Sequence, residues 1–305
     1  MALSILTILG LCLFEIISSV DNAIINAEVL STMGQKARRF FLFWGIIIAV
    51  FLIRGLLPWV IVWGVNPGLG PIEALTATFS SDPSIHQAVE RSAPILLCGG
   101  GIFLVFLFFH WLFLEEKNFG LPHEKFFYEK GVWFFAVASI VLAVIIWITI
   151  HRDPIVAFGA AVGSSAFFIT HGFKQNAEVK EKDLTDKKMS DVSKILYLEV
   201  IDATFSIDGV IGAFAFTLSV PLILIGNGLG AIVVRQITVG NIDRIKQYIY
   251  LKNGAMYSIF FLGTCMLLES LGYDIPQWVS PVITFLCVAL SFVQSLFNLK
   301  RNKED

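Results

Sequence analysis

Five carboxylates of this chain stand in strongly apolar stretches. Glu15 and Asp21 lie in FEIISSVDNAIINAEVL (residues 14–30), together with the amides Asn22 and Asn26 and with Glu28. Glu199, Asp202 and Asp208 lie in YLEVIDATFSIDGVI, which begins at Tyr197. A charge at the centre of a bilayer costs about 2.5 kcal/mol or more on insertion scales. Arg54 and Arg235 stand in comparable apolar surroundings and could pair with some of these acids as struts. Two arginines cannot neutralise five carboxylates. The excess must be protonated, hydrated or bound to a cation, so a cation or proton site is the stronger reading.

Helical geometry sorts these groups. At about 100° per residue, Glu15, Asn22 and Asn26 share one face, and Glu199, Asp202 and Ser206 share another. Asp21 and Asp208 point away from those faces on ideal helices. Either the helices unwind near SSVDN and FSIDG, or these two aspartates meet different partners. Ser18, Ser19, Asn22 and Gly209 make a local break plausible, and a broken helix frees backbone carbonyls for a cation. Every candidate ligand is an oxygen, which suits Mn²⁺, Mg²⁺ or Ca²⁺ and disfavours Cu(I) or Zn²⁺. Mg²⁺ keeps its waters and fits an all-protein cage poorly, which leaves Mn²⁺ favoured. The cation would be cargo, and no permanently bound cofactor is expected.

The elements that must hold these groups follow from composition. The chain has 305 residues, of which 56% are hydrophobic and 15% charged, and 28 are phenylalanine. Its mean hydropathy is +0.76. A soluble chain normally carries about 25% charged residues, so a polytopic, all-α membrane bundle is expected. The net charge of −2 gives no large basic surface for nucleic acid. Cys12, Cys98, Cys265 and Cys287 lie in apolar stretches without CxxC or Cys/His spacing, so neither a disulfide framework nor a zinc site is expected. The first apolar run lacks a basic leader and continues into acids, and is read as a retained span.

About 20 apolar residues cross a bilayer. Nine spans are predicted at about 3–29, 41–64, 93–114, 132–150, 154–173, 194–217, 220–239, 254–272 and 277–297. Lys and Arg gather in the odd-numbered loops and the tail. The positive-inside rule then puts the N-terminus outside and the C-terminus in the cytoplasm. Residues 1–173 form a first membrane region holding one repeat and extra helices. The mixed-charge segment 174–193 reads as a flexible cytoplasmic linker, and 194–305 as a second membrane region with a short tail.

The two regions resemble each other. EIISSVDNAI from Glu15 matches DATFSIDGVI from Asp202, with Ser19 on Ser206. GIIIAVFLIR from Gly45 to Arg54 matches GNGLGAIVVR from Gly226 to Arg235. The copies start five spans apart and so would cross in opposite directions. Inverted repeats of this kind place the transport site near the midplane between the copies.

FEIISSVDNAIINAEVL, FLFWGIIIAVFLIRGLLPWVIV and YLEVIDATFSIDGVIGAF resemble the signature helices of the TerC family of integral membrane proteins. The likeness is nearest its bacterial branch of uncharacterised members, and it extends to FLEEK at 113–117. That family is named for tellurium resistance and grouped with lysine-exporter-type transporters, and several members are implicated in Mn²⁺ export. The resemblance therefore implies a divalent-metal exporter. By motif position it implies ligand roles for Glu15, Asp21, Asn22, Asp202 and Asp208. Asn22 aligns with Gly209, so the second copy departs from the Asp-Asn pair.

Plainer readings attach to other features. GNGLG at 226–230 and CGGGIF at 98–103 read as close helix packing. His110 reads as a hydrogen-bonded interface histidine before a proton relay, and Glu115 and Glu116 as solvated. Trp59, Trp63 and Trp278 fit interfacial anchors. The leading expectation is a secondary transporter exporting a divalent cation, Mn²⁺ first, with protons as a possible counter-ion. The alternatives are an exporter of another small solute, with Arg54 and Arg235 receiving its carboxylate, and a non-transporting membrane factor that assembles or metallates other proteins, its partner unknown. No metalloprotease motif, Ser/His pairing or nucleophile elbow appears, so an enzyme is not expected.

Overall fold

The computed structural model describes residues 2–45, 48, 54–65, 68, 70–76, 83–184, 190–240 and 247–304, and the side chains of Asp21 and Arg54 lie outside that description. Every regular element among the described residues is helical: α1 (Ala2–Ser18), α2 (Val20–Ser31), α3 (Gln35–Phe40), a π turn (Phe41–Gly45), α4 (Arg54–Val65), α5 (Pro71–Thr76), α6 (Pro83–Leu114), α7 (Pro122–Tyr128), a 3₁₀ turn (Gly131–Trp133), α8 (Phe134–Ile150), α9 (Pro154–Leu184), α10 (Asp191–Ala213), α11 (Val220–Gly240), α12 (Leu251–Ser270) and α13 (Val279–Glu304).

Five of these helical stretches are long and apolar enough to cross a membrane: Ser92–Leu114, Gly131–Ile150, Pro154–Gln175, Leu251–Ser270 and Val279–Arg301. α1 and α2 together make a sixth if the bent pair is one crossing. The protein is thus an all-α, multi-pass membrane protein. α8 shows why lipid rather than water is its solvent: Phe135, Ile140, Val144 and Trp147 all face outwards, while its backbone bonds are closed within the helix.

α6 is the central post. It packs on α9 and α12, and the core is built from its Ile102, Phe103, Leu104, Phe106, Phe108 and Trp111. Small residues set these crossings. Any side chain at Gly163 would collide with the Gly99 backbone, and a Cβ on Gly159 would come 2.7 Å from the Ile95 carbonyl. Gly101 of α6 meets α12 in the same way, its Cβ position 2.9 Å from the Gly263 carbonyl. CGGGIF is therefore packing chemistry, as the sequence suggested.

Local signals fix the ends. Asp153 Oδ1 accepts from the Ile155 amide at 2.8 Å beside Pro154, a proline in the first helical turn. Ser190 accepts from the Ser193 amide at 3.2 Å and starts α10. Past α6, the Lys117 ammonium donates to the carbonyls of Trp111, Leu112 and Glu115 and lies 4.6 Å from the Trp111 ring centroid. The FLEEK stretch is thus a C-terminal cap.

Two expectations need correction. The polar segment from Lys174 was read as a flexible linker, yet α9 continues unbroken to Leu184 and α10 begins at Asp191. The proposed break occurs in one copy only. α1 and α2 meet at a 58° bend around Ser19, where the Ser18 hydroxyl reaches the Glu15 carbonyl at 3.3 Å and the Ser19 hydroxyl reaches the Glu15 side chain at 2.6 Å. Serine hydroxyls in a helix compete with the backbone ladder and bend it. α10 runs straight through Asp208 and Gly209.

Candidate functional site

α1 and α2 approach α10 and α11 on their acidic faces. Small residues permit it: a Cβ on Gly230 would come 2.8 Å from the Cys12 carbonyl, and one on Gly209 would come 3.0 Å from Glu15 Oε2. Glu15 is completely buried, and its Oε1 accepts from Ser19. Gly226 likewise admits Leu11, so GNGLG is a packing motif.

Asp202 is the centre of the cluster. Its Oδ1 accepts from the side-chain amides of Asn22 and, at 3.1 Å, Asn26, and its Oδ2 lies 3.6 Å from Arg235 Nη1. The Ser206 hydroxyl donates to the Asp202 carbonyl at 2.6 Å. Arg235 is itself buried; it donates to the Phe41 carbonyl at 3.3 Å and stacks 4.2 Å over the Phe41 ring. Gly45 leaves the space into which Arg235 Nη2 and Glu199 Oε1 both reach. Asn22 and Asn26 of one face thus meet Asp202 of the other, while Glu15 lies further along, against Gly209 and Gly230.

Satisfaction of hydrogen bonds is incomplete here. Among the described residues, Asn22 Oδ1, Asn26 Oδ1 and both carboxylate oxygens of Glu199 are buried without a hydrogen-bond partner. A buried acceptor left unpaired costs about 1–3 kcal/mol, more when charged, and four such oxygens stand close to Asp202. The same residues do not form a finished metal cage. Among the described residues, no three His, Cys, Asp or Glu side chains are grouped to hold a metal. The Arg235 guanidinium stands beside Asp202, where a cation's charge would otherwise lie.

Asp208 departs from expectation. It forms an ion pair with Lys174 of α9, both side chains being largely buried, and so lies with α9 rather than with Asn22, Asn26 and Arg235. Lys174 belongs to the last turn of the apolar window Pro154–Gln175. Asp208 is therefore level with one end of that window, not with its middle. Lys174 was assigned to a loop by its sequence position; the count of two cations against five acids omitted it. The expectations for Asp21 and Arg54 as side chains lie outside the described residues.

Other polar groups went unread in the sequence. Asn227 of α11 is fully buried, and neither end of its amide has a hydrogen-bond partner among the described residues. Glu124 of α7 is also fully buried, but it is satisfied by the Gly120 amide at 2.6 Å, Asn253 at 3.0 Å and Tyr257 at 2.9 Å, and so clasps α7 to α12. Glu115, expected to be solvated, contacts His110 at 3.6 Å and Lys252 at 2.8 Å.

A family model described as "Protein of unknown function (DUF475)" matches residues 20–303. No curated protein and no solved structure matches the chain.

Proposed function

The chain belongs to this family of unknown function, and we propose that it is a secondary transporter of the bacterial cytoplasmic membrane that exports a divalent cation, Mn²⁺ first among them. The observation that carries this reading is the set of buried, unpartnered oxygens on Asn22, Asn26 and Glu199 around Asp202. Their chemistry is uniformly hard oxygen, which favours Mn²⁺, Mg²⁺ or Ca²⁺ over thiophilic metals. Glu15, Asn22, Asn26, Glu199 and Asp202 are the ligands in this reading, with Ser19 and Ser206 orienting Glu15 and Asp202. The motif resemblance to the TerC family adds Asp21, with Arg54 as a counter-charge. Asp208, held by Lys174, is outside the ligand set.

The cycle turns on Arg235. Without cargo its guanidinium neutralises Asp202 and keeps the buried acids tolerable. An arriving cation takes over that charge, and Arg235 leaves Asp202 while its contacts to the Phe41 carbonyl and ring hold it. Nine crossings, an outside N-terminus and an inverted pair of repeats would expose the cluster to each side in turn.

The test is Mn²⁺ flux into proteoliposomes holding the purified protein, its Asp202→Asn variant and its Glu199→Gln variant. Flux in the wild type that both variants lose is the expected result. A wild type that moves no Mn²⁺ under imposed proton and voltage gradients overturns the reading. The presence of Arg235 inside the cluster favours one competitor, a zwitterionic amino acid with its carboxylate on Arg235 and its ammonium on Glu199. Arg235→Lys separates the two: it abolishes amino-acid transport through the lost bidentate contact and spares Mn²⁺ binding.

A further inference from the structure

α6 and α9 bring two histidines together beside, and not within, the carboxylate cluster. The His110 and His171 ring centroids are 3.9 Å apart with an interplanar angle of 52°. His110 is buried, and Phe134 and Phe167 wall the pair. On one side, His110 Nδ1 is 3.6 Å from Glu115 Oε1, and Glu115 Oε2 holds Lys252 of α12 at 2.8 Å. On the other side, one turn along α9, Lys174 pairs with Asp208. The next residue, Gly209, faces Glu15. Ionisable groups thus lead from the end of α6 to Asp208, whose chain neighbour Gly209 packs against Glu15 of the proposed cation site.

Two imidazolium rings at this separation repel strongly, and Lys174 adds a third positive charge. The pair therefore holds at most one proton. The charged groups that face the pair are Glu115 from α6, Lys174 from α9, Asp208 from α10 behind Lys174, Lys252 from α12 behind Glu115, and Lys117 just past α6. α8 contributes the Phe134 ring. Imidazole is the side chain whose charge changes most readily between about pH 5 and 8.

We infer that the closely apposed His110–His171 pair is a single-proton site which, through the Lys174–Asp208 ion pair, couples the movement of the cation to an opposing proton. This rests on the transport reading above. A proton on the pair drives the Lys174 ammonium towards Asp208 and the Glu15 side, which lowers the affinity of the cluster for a cation. A bound cation pushes Lys174 back and expels the proton. The effect is reciprocal by linkage, and mutual exclusion of proton and metal is what an exchanger requires.

Two measurements test it. The first is ¹⁵N-histidine NMR titration of the full chain in detergent, with and without Asp208→Asn. The pair should take up one proton per molecule. Its midpoint should fall by about one pH unit in the variant, because Lys174 is then unscreened. Two independent titrations, or an unmoved midpoint, overturn the inference. The second is Mn²⁺ flux in proteoliposomes with an entrapped pH dye. Wild type should move protons against Mn²⁺, whereas His171→Gln should keep downhill Mn²⁺ flux and lose the proton movement. Proton movement unchanged in His171→Gln overturns the coupling. A wild type without Mn²⁺ flux defeats the transport reading instead, and the NMR titration then decides the proton site alone.

Discussion

Glu199 and Asp202 stand one helical turn apart and do opposite jobs. Asp202 is fully engaged by Asn22, Asn26 and Arg235, whereas both oxygens of Glu199 lack a hydrogen-bond partner among the described residues. Asp202→Asn breaks a buried charge pair and leaves Arg235 uncompensated, a change that costs about 3 kcal/mol or more. Glu199→Gln removes a charge whose desolvation opposes folding, so stability should hold or rise. Thermal unfolding in detergent separates the two, and Mn²⁺ titration calorimetry should show both variants weakened tenfold or more. Equal destabilisation by the two would sink the division of labour. Glu115, beyond the end of α6, carries a pH signature. Burial raises its carboxyl, but hydrogen bonding with His110 and the charge of Lys252 outweigh this and hold it below the ordinary 4.5. A carboxyl lowered in the folded state contributes stability that is present above pH 4.5 and lost as the pH falls. Unfolding midpoints of wild type should therefore drop through that acid range, and Glu115→Gln should flatten the slope. Helical spacing made Glu15, Asn22 and Asn26 legible as one face and Glu199, Asp202 and Ser206 as another. Lys174 was not legible, because hydropathy ends the span near it while the backbone continues as helix. Asn227 was hidden inside a glycine motif whose packing role is real.

Elements carry the difference between the two matching motifs. Both contain a serine and an aspartate at matching places, but only α1 breaks, at Ser19, where paired serines reach back to Glu15. α10 has one serine there, and Ser206 spends its hydroxyl on the Asp202 carbonyl at 2.6 Å without bending the helix. Sequence alone could mark both as breakable and could not say which would yield. The glycines of CGGGIF were legible as packing positions, their partners Gly159, Gly163 and Gly263 were not, and together they give a graded test. Gly163→Ala places a methyl against the Gly99 backbone, which can relieve the clash only by moving α6 from α9. A loss of about 1–3 kcal/mol is expected, as for other overpacked contacts. Gly172→Ala, nine residues further along the same helix, meets nothing within 4 Å and should gain about 0.5–1 kcal/mol from reduced backbone entropy. Chemical denaturation of both variants in mixed micelles checks the pair, and a similar gain at both sites would show that helix propensity rather than the crossing sets the result.

At the scale of the whole molecule, the apolar helices show a multi-pass membrane protein, and the pattern of basic loops supplies a direction for it. α10 is the case where hydropathy fails. Lys194, Glu199, Asp202 and Asp208 make it too charged to qualify as an apolar crossing, although its Leu198, Ile201, Val210 and Ala213 are buried. The charged face of such a helix turns into the bundle, where neighbours such as Asn26, Arg235 and Lys174 meet its charges, while Val192, Leu196 and Val200 on its other face are exposed. The topology proposal then makes a sharp demand. Glu73 and Lys125 are both exposed and flank the span Ser92–Leu114. In a cysteine-free background, a membrane-impermeant thiol reagent added to intact cells should label Glu73→Cys and leave Lys125→Cys untouched. Lysis should expose Lys125→Cys. Reversed labelling inverts the proposed orientation and with it the direction of export, because the end of α6 that holds His110 and Glu115 would then open to the outside. Labelling of both positions in intact cells would remove Ser92–Leu114 from the list of crossings, and the parity on which opposed repeats depend would fail with it.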